Sequence, residues 1–263
     1  SFKLTYQYSD DLIYIGSCTD VNMATVARSA SATKIKPYWD DVARWAGLSS
    51  VAAEKWWLYL QQRHSEPQRA YHTLNHLAEL VTHFAAIDIP PLEGGCDDRN
   101  VILLTIFFHD LVYDPKRSDN EDLSAREFQQ FVAETKSITL ARVAPGVSAI
   151  IMATKHHTSI DPKQSPRDMN LFLDMDLGIL GASTERYDEY AKEIAFEYQH
   201  YPAKDYCAGR SAVLQRFADA CSKPPRDGGL YKTEFFHEKF AAIARKNLDR
   251  EIQQLQTRLS ELR

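Results

Sequence analysis

Glycine and proline are scarce in this sequence, at 10 and 11 of its 263 residues. All-β sandwiches and barrels need many tight turns, which these two residues form most readily. The sequence therefore favours helices over an all-β fold. Its shares of hydrophobic residues, 44%, and charged residues, 25%, are those of an ordinary globular chain. Such a composition excludes disorder over most of the length.

Long hydrophobic runs are also missing. The longest, around Val101–Phe108, has about eight residues, whereas a membrane-spanning helix needs about 20. The first residues, SFKLTYQYSDDLIYIG, have no basic stretch followed by an apolar one, so no signal peptide is expected. The four cysteines form no CxxC pair, which is typical of a reducing compartment rather than of a disulfide framework or a zinc finger. The sequence therefore predicts a cytoplasmic protein with no membrane partner.

A surplus of basic residues is lacking too, because 31 Lys and Arg against 36 Asp and Glu give a net charge of 31 − 36 = −5. Proteins that bind nucleic acid along its length usually carry a basic surplus or stripe. Bulk nucleic acid is therefore not an expected partner. A small anion of nucleotide size stays an option, since a single pocket can be basic on an acidic protein.

Apolar residues recur at the three- and four-residue spacing of helices, and the sequence predicts an all-α fold. Residues 1–36 are expected to be an irregular N-terminal segment, and residues 37–263 a single helical domain that includes a long C-terminal helix. The segment 100–112 is apolar enough for a strand, but its length favours a buried helix. The predicted helices cover about 37–46, 51–62, 69–86, 100–112, 121–134, 147–156, 167–180, 184–199, 205–221 and 233–262.

The last predicted helix carries a short heptad seam made of Ile252, Leu255, Leu259 and Leu262. Such a seam can pair two subunits into a homodimer or pack on its own domain. With barely two heptads, packing on its own domain is preferred and the homodimer stays open.

Histidine, by contrast, is abundant, and most of the nine lie between His72 and His157. Metal sites are built from histidines and carboxylates that the fold brings together. Each segment alone is also typical of a helix end, a cap or a polar loop, but together they form an ordered series. The segments are RAYHTLNHL with His72 and His76 on one helix face, FFHDLVYD with His109 and Asp110, TKHHT with His156 and His157, and FLDMDLGILG with Asp174 and Asp176.

The order H…HD…D resembles the HD superfamily of metal-dependent phosphohydrolases. The gaps of 37 residues from His72 to His109 and of 66 from Asp110 to Asp176 are similar to those of compact HD nucleotidases. Residues 37–247 resemble one subgroup of predicted HD phosphohydrolases, whose substrates the resemblance does not name. The matching segments are RAYHTLNH at 69–76, HDLVYD at 109–114, NEDLSA at 120–125, TKHH at 154–157, DMDLGILG at 174–181, YDEYAKEIAFEY at 187–198 and GR at 209–210.

The resemblance implies an HD-domain-like helical bundle whose metal ligands are His72, His109, Asp110 and Asp176. His72 is preferred to His76 because the ligand of the superfamily commonly follows an arginine by a few residues, as His72 follows Arg69. His76 could then contact substrate, join the metal ligands, or be a hydrogen-bonded core histidine.

Asp176 is preferred to Asp174 on the same alignment. In addition, residues two apart on a helix point about 200° apart, so only one of this pair is expected to face a metal. Asp174 would be a cap or a hydrogen-bond acceptor behind the site.

Two histidines and two carboxylates suit a divalent metal ion, with Mn, Co, Ni, Mg, Fe and Zn all open. A second ion would need more ligands, for which His156 and His157 are candidates with Asp110 as the bridge. The number of ions stays open.

The implied activity is hydrolysis of a phosphate ester of a small molecule, such as a nucleotide, by metal-activated water. The sequence does not distinguish a phosphomonoesterase from a phosphodiesterase. Asp110 could orient the water. Glu121 is either an acid or base or only a carboxylate favoured at a helix N-terminus. Two further classes stay open: an HD-fold di-iron oxygenase and a non-catalytic metal-containing binding module.

Substrate-binding candidates are Arg69, Arg210 and Tyr113, since an anionic substrate needs donors away from the metal. Tyr113 lies one turn after His109, where an aromatic is more often part of the core. Lys155 is more typical of a surface charge.

Overall fold

The computed structural model describes residues 18–87 and 98–262, and only the backbone of residues 18–29. These residues contain ten α-helices, three short 3₁₀ segments and no strand, so the predicted all-α fold is confirmed. The helices are α1 (Cys18–Trp45), α2 (Ser50–Arg63), α3 (Leu74–Ile87), α4 (Arg99–Phe108), α5 (Asn120–Thr135), α6 (Ile138–Ala153), α7 (Arg167–Asp176), α8 (Thr184–Glu197), α9 (Ala203–Cys221) and α10 (Glu234–Glu261). The 3₁₀ segments are Thr154–Ser159, Leu177–Gly181 and Pro225–Asp227.

The first helix corrects the expected irregular segment 1–36. Residues 18–36 belong to α1, which continues past Pro37, and residues 1–17 lie outside the described part of the chain. Proline inside a helix removes one backbone hydrogen bond, but here packing compensates. Ile35 and Trp39 are fully buried, and the indole Nε1 of Trp39 donates to the carbonyl of Ala53 at 3.0 Å. Tertiary contacts therefore outweigh the local sequence signal.

Helix α4 lies at the centre of the fold and ends at the His109–Asp110 motif. All of its residues from Val101 to Phe108 are buried, and it contacts α1, α3, α5, α6 and α7. Asp98 caps its N-terminus by accepting the backbone N–H of Asn100 at 2.9 Å. The alternative of a strand for segment 100–112 is therefore wrong, and a helix apolar on all faces is what a central position requires.

An aromatic cluster fixes α4 against its neighbours. Phe108 stacks on Phe131 of α5 with ring centroids 5.0 Å apart. Trp39 of α1 meets Phe107 edge to face at 5.3 Å, and Trp56 of α2 meets Phe131 at 5.1 Å. Such pairs contribute about 0.5–1.5 kcal/mol each beyond their buried area. The cluster holds the C-terminal end of α4 in a defined place.

Helix α6 begins earlier than its sequence predicts. The hydroxyl of Ser137 caps it by accepting the N–H of Leu140 at 3.2 Å, and Pro145 lies inside the helix instead of opening it. Within the described residues, the 22-residue stretch Ile138–Ser159 is long and apolar enough, by length and composition alone, to cross a membrane. One such stretch says little, because core helices pass the same test. Here Leu140 and Val147 pack in the core, and the backbone kinks at His156.

The C-terminal seam packs on its own chain. Helix α10 lies against α9 and against Leu177–Gly181. Ile252 and Leu255 are buried there, Leu259 packs on the same core, and Leu262 is 42% exposed. The seam residues nearest the core are thus used within the chain.

We expect His83 on α3 to make the stability of the fold depend on pH. Its ring packs against Phe236 and Phe240 of α10, at centroid distances of 5.9 and 5.5 Å. Burial, together with the nearby ammonium group of Lys239, lowers its pKa to about 4. An unfolded histidine has a pKa near 6.5, so between about pH 6.5 and 4 the unfolded chain binds more protons. We expect the free energy of unfolding to decrease by up to about 3 kcal/mol as the pH falls through this window.

Urea titrations at several pH values measure this effect. His83→Gln should make the unfolding free energy less dependent on pH below 6.5, and the same change at the exposed His200 is the control. An unchanged pH dependence in His83→Gln would show that His83 is not buried in its neutral form.

Candidate metal centre

Three helix ends bring histidines and aspartates to one point inside the fold. His109 and Asp110 directly follow α4, His76 lies in the first turn of α3, and Asp176 is the last residue of α7. His76 and His109 are 2% and 1% exposed. Polar groups this deep are costly unless they are paired or bind a metal.

Donor atoms of His76, His109 and Asp110 lie close together, and Asp176 approaches the two imidazoles. The Nε2 atoms of His76 and His109 lie 3.2 Å apart. Asp110 Oδ2 lies 3.1 Å from Nε2 of His109 and 3.8 Å from Nε2 of His76. Asp176 Oδ1 lies 3.6 and 3.2 Å from the same two nitrogens. His76, His109 and Asp110 form a group that could hold a metal ion, and Oδ1 of Asp176 lies near both imidazoles but outside that group.

These distances fit coordination of one ion. Donor atoms about 2.1 Å from an ion lie roughly 3.0 Å apart in an octahedral site and about 3.4 Å apart in a tetrahedral one. The His–His contact and the shorter His–Asp contacts fall in that range. A mixed imidazole and carboxylate set is typical of divalent transition metals and less so of Ca²⁺ or Mg²⁺.

The ring orientation of His109 also fits a cation. Its Nδ1 lies 3.2 Å from the carbonyl oxygens of Thr105 and Ile106, to which it can donate. This leaves the lone pair of Nε2 directed at the carboxylates of Asp110 and Asp176. Lone pairs facing one another repel unless a proton or a metal ion lies between them.

The charges of the cluster also favour a bound cation. Burial disfavours the charged form of His109, but the carboxylates of Asp110 and Asp176 outweigh burial and raise its pKa well above the ordinary value. Burial would raise the pKa of Asp110, but the neighbouring imidazoles of His109 and His72 lower it. The negative field that attracts a proton to His109 also attracts a divalent cation.

His157 extends the cluster by one imidazole. Its Nε2 lies 3.1 Å from Oδ2 of Asp176, while Oδ1 of the same carboxylate faces His76 and His109. Asp176, and not Asp110 as expected, is thus the carboxylate between the cluster and His157. His156 is exposed at the kink of the 3₁₀ segment Thr154–Ser159.

His72 lies beside the cluster at a greater distance. Its Nε2 is 3.9 Å from Oδ2 of Asp110. The expectation that His72 and His76 share a helix face is wrong, because α3 begins only at Leu74 and residues 70–73 form bends and a turn. The geometry therefore favours His76 over His72 as the metal ligand.

Glu197, the last residue of α8, holds His72 in place. It is 3% exposed. Its Oε1 accepts the backbone N–H groups of Ala70, Tyr71 and His72 at 2.7–3.0 Å. Its Oε2 lies 2.7 Å from Nδ1 of His72 and accepts the hydroxyl of Tyr113 at 2.6 Å. Burial would raise the pKa of Glu197, but the His72 imidazole lowers it to about 2. The carboxylate is ionised and directs the Nε2 of His72 away from itself, towards Asp110.

Tyr113 completes this arrangement. Its ring stacks on His72 with centroids 4.1 Å apart, and it is 7% exposed. It does not line the cavity beside the metal centre. The structure places Tyr113 in contact with His72 and Glu197, and substrate binding by Tyr113 stays a prediction.

Arg69, predicted to bind substrate, is a structural clamp in this fold, and substrate binding by it stays a prediction. It is 2% exposed. Its guanidinium donates to the carbonyls of His72, Asp110 and Leu111 at 2.8–2.9 Å, and to Glu66 at 3.2 Å. These bonds tie the turn that carries His72 to the end of α4.

Asp174 and Asp176 face different neighbours, as their spacing predicts. Asp174 is fully buried and accepts the N–H groups of Lys232 and Thr233 and the hydroxyl of Thr233 at 2.5–2.8 Å. Thr233 caps α10. Asp174 thus joins α7 to the start of α10.

A cavity of about 840 Å³ opens beside the cluster and is lined by His72, His157 and Asp176. The predicted Arg210 lies on its wall, where it pairs with Glu251 at 3.0 Å. Lys155 also lines the cavity and pairs with Asp122 at 3.1 Å. Pockets for whole organic ligands occupy about 300–1,000 Å³, so the cavity can take more than a phosphate group.

Glu121 lies in the first turn of α5 and does not line this cavity. Its position agrees with a carboxylate favoured by the helix dipole. The alternative role as an acid or base has no geometric support in the described residues.

Two acidic residues near the site, Glu197 and Glu251, are not among the residues predicted from the sequence. Each lies on the buried face of an amphipathic helix. Glu197 lies three residues after the buried Ile194 on α8, and Glu251 lies directly before the buried Ile252 on α10. A charged residue in register with an apolar stripe is the signal that was available, because such a residue needs a buried partner.

Comparison with protein-family models, with curated proteins and with solved structures found no match to this chain. The resemblance to the HD superfamily thus rests on the motifs of the sequence.

Proposed function

We propose that this protein is a metal-dependent phosphohydrolase of the HD superfamily that cleaves a phosphate ester of a small molecule. One observation carries the proposal. The donor atoms of His76, His109 and Asp110 form a group that could hold an ion, and Asp176, which lies 3.2 Å from His76, lines a cavity large enough for an organic phosphate. Two imidazoles and two carboxylates leave open positions around an ion for water and substrate.

The bound metal would supply two effects, a lower pKa of a coordinated water and partial neutralisation of the phosphoryl charge. The residues of the chain would hold and orient the ion. His109 is oriented by the carbonyls of Thr105 and Ile106, and Asp176 reaches both His76 and His157.

His72 is positioned to exchange a proton at the cavity. Its Nδ1–H is fixed by Glu197, and its Nε2 lies beside Asp110, on the side where the substrate would bind. An imidazole held by a buried carboxylate is a suitable general acid or base. Nε2 of His72 can therefore hold the proton that a leaving ester oxygen requires.

The di-iron oxygenase is the second candidate, and the contact of His157 with Asp176 favours it. This contact gives a second ion one imidazole and a shared carboxylate. Metal quantification separates the two functions. Two irons per chain and substrate turnover that consumes oxygen would favour the oxygenase.

The decisive experiment is metal quantification coupled to a screen of phosphate monoesters and diesters. We expect the purified protein to bind at least one divalent ion and to release phosphate or cleave a diester with Mn²⁺, Co²⁺, Ni²⁺ or Mg²⁺. Removal of the metal with a chelator should abolish turnover, and its return should restore it. Metal binding without any turnover across the panel would favour a non-catalytic binding module.

A further inference from the structure

One face of α9 forms a wall of the cavity beside the metal centre. Tyr206, Gly209, Arg210, Val213 and Phe217 all line the cavity. Their spacing of three and four residues places them on one side of the helix. The wall thus runs along about three turns of α9, farther than a phosphate group could reach.

The chemistry of this wall suits a flat organic group. Tyr206 and Phe217 are partly buried against the core and yet line the cavity. The guanidinium of Arg210 lies over the ring of Tyr190, 5.2 Å from its centroid, and Tyr190 lines the same cavity. Aromatic rings and guanidinium planes stack favourably on planar rings.

Arg210 is fixed in place. Its side chain is one-tenth exposed, and Nε and Nη2 bond to the two oxygens of Glu251 at 3.0 and 3.3 Å. The hydroxyl of Tyr187 donates to the same carboxylate at 2.6 Å. A guanidinium has five N–H donors, so others stay available for an oxygen of a ligand on the wall.

Gly209 is the residue on this wall that neither conformation nor packing explains. Its backbone is outside the left-handed region, and a Cβ added there would meet nothing within 4 Å. A glycine inside a helix costs about 0.5–1 kcal/mol relative to alanine. What the glycine provides at this position is open space in the cavity.

We infer that this wall of α9 binds the organic part of the substrate, that this part is a planar aromatic group, and that Gly209 determines how large it can be. The inference rests on the proposed function for the phosphoryl end of the ligand. It adds the chemical class of the remainder, an aromatic phosphate ester.

Binding of two phosphonates to the Mn²⁺-loaded protein, measured by calorimetry, tests the inference. 1-Naphthylphosphonate and methylphosphonate share a head group and are not hydrolysed, so the readout does not depend on turnover. We expect the naphthyl compound to bind at least about tenfold more tightly, because its rings are buried against α9. Gly209→Trp should remove this advantage and leave the affinity for methylphosphonate within about twofold.

Two variants control for folding. Gly209→Ala adds one methyl group in open space and should raise the Tm by about 2–4 °C while keeping naphthyl binding. Gly146 on α6 also has nothing within 4 Å of an added Cβ and does not line the cavity. Gly146→Trp should therefore leave both affinities unchanged.

The failures of the two proposals are distinguishable. Binding of neither phosphonate to the metal-loaded protein would overturn the proposed function. Equal binding of both, or naphthyl binding that Gly209→Trp leaves intact, would overturn the role of α9 and leave the phosphohydrolase proposal standing.

Discussion

Asp110→Ala is expected to lose both the metal and the catalytic activity while the fold persists. Oδ2 of Asp110 lies 3.1 Å from Nε2 of His109 and belongs to the group that could hold an ion. Losing a group that only supports a ligand already weakens metal affinity about 10–100-fold. Loss of a ligand should therefore weaken it by at least about 100-fold, which elemental analysis and Mn²⁺ calorimetry would detect.

The helical signal of this variant in circular dichroism should stay close to wild type. Asp110 follows α4, and the packing of that helix depends on apolar residues from Val101 to Phe108. His109→Ala should likewise lose the metal. His200→Ala, which changes an exposed histidine outside the cluster, is the matched control. Wild-type metal content in Asp110→Ala would refute the ligand assignment.

Periodicity predicted most of the helices because their packing is visible in local sequence. Apolar residues at helical spacing mark the buried faces of α2, α5 and α9, and the structure has helices there. The same local reasoning predicts opposite directions for Asp174 and Asp176, which lie two residues apart on one helix. Periodicity does not predict the helix over residues 18–36, because that segment is rich in polar residues and Pro37 follows it. The structure has a helix there, and Ile35 and Trp39 of this helix are buried.

The candidate metal site depends on contacts that the local sequence does not contain. His72 and His76 are four residues apart, and a continuous helix would place both on one face. A shift of the helix start to Leu74 separates them: His76 joins the cluster and His72 turns to Glu197. Helix boundaries are set by long-range contacts such as the clamp of Arg69 on Asp110 and Leu111. The residues around His72 in the sequence do not indicate those contacts, so the start of α3 could not be predicted from them.

Glu197→Gln is expected to lower activity by about 10–100-fold or more while the metal content stays close to wild type. The carboxylate accepts five hydrogen bonds, from three backbone N–H groups, His72 and Tyr113. An amide has one oxygen and one NH₂ group, so its NH₂ group must face donors. If the NH₂ group of the new side chain faces His72, Nδ1 of His72 must accept its hydrogen bond. The imidazole proton then lies on Nε2, the nitrogen that faces the cavity. Turnover would suffer, whereas the donors of His76, His109, Asp110 and Asp176 would stay in place.

Glu197→Ala should have the larger effect on stability, because it leaves three backbone N–H groups and the imidazole without their acceptor. Removing one partner of a buried ionic pair typically costs about 3–5 kcal/mol, which urea unfolding would measure. Tyr113→Phe is the matched control, since it removes a single hydrogen bond to the Glu197 carboxylate, worth about 1.5–3 kcal/mol. A Glu197→Gln protein with full activity would show that the orientation of His72 is irrelevant to turnover. Loss of metal from Glu197→Gln would instead place His72 among the ligands. The resemblance to the HD superfamily implies this, because His72 follows Arg69 as the ligand of that superfamily follows an arginine. The metal content of this one variant therefore decides between His72 as a ligand and His72 as the group that moves a proton.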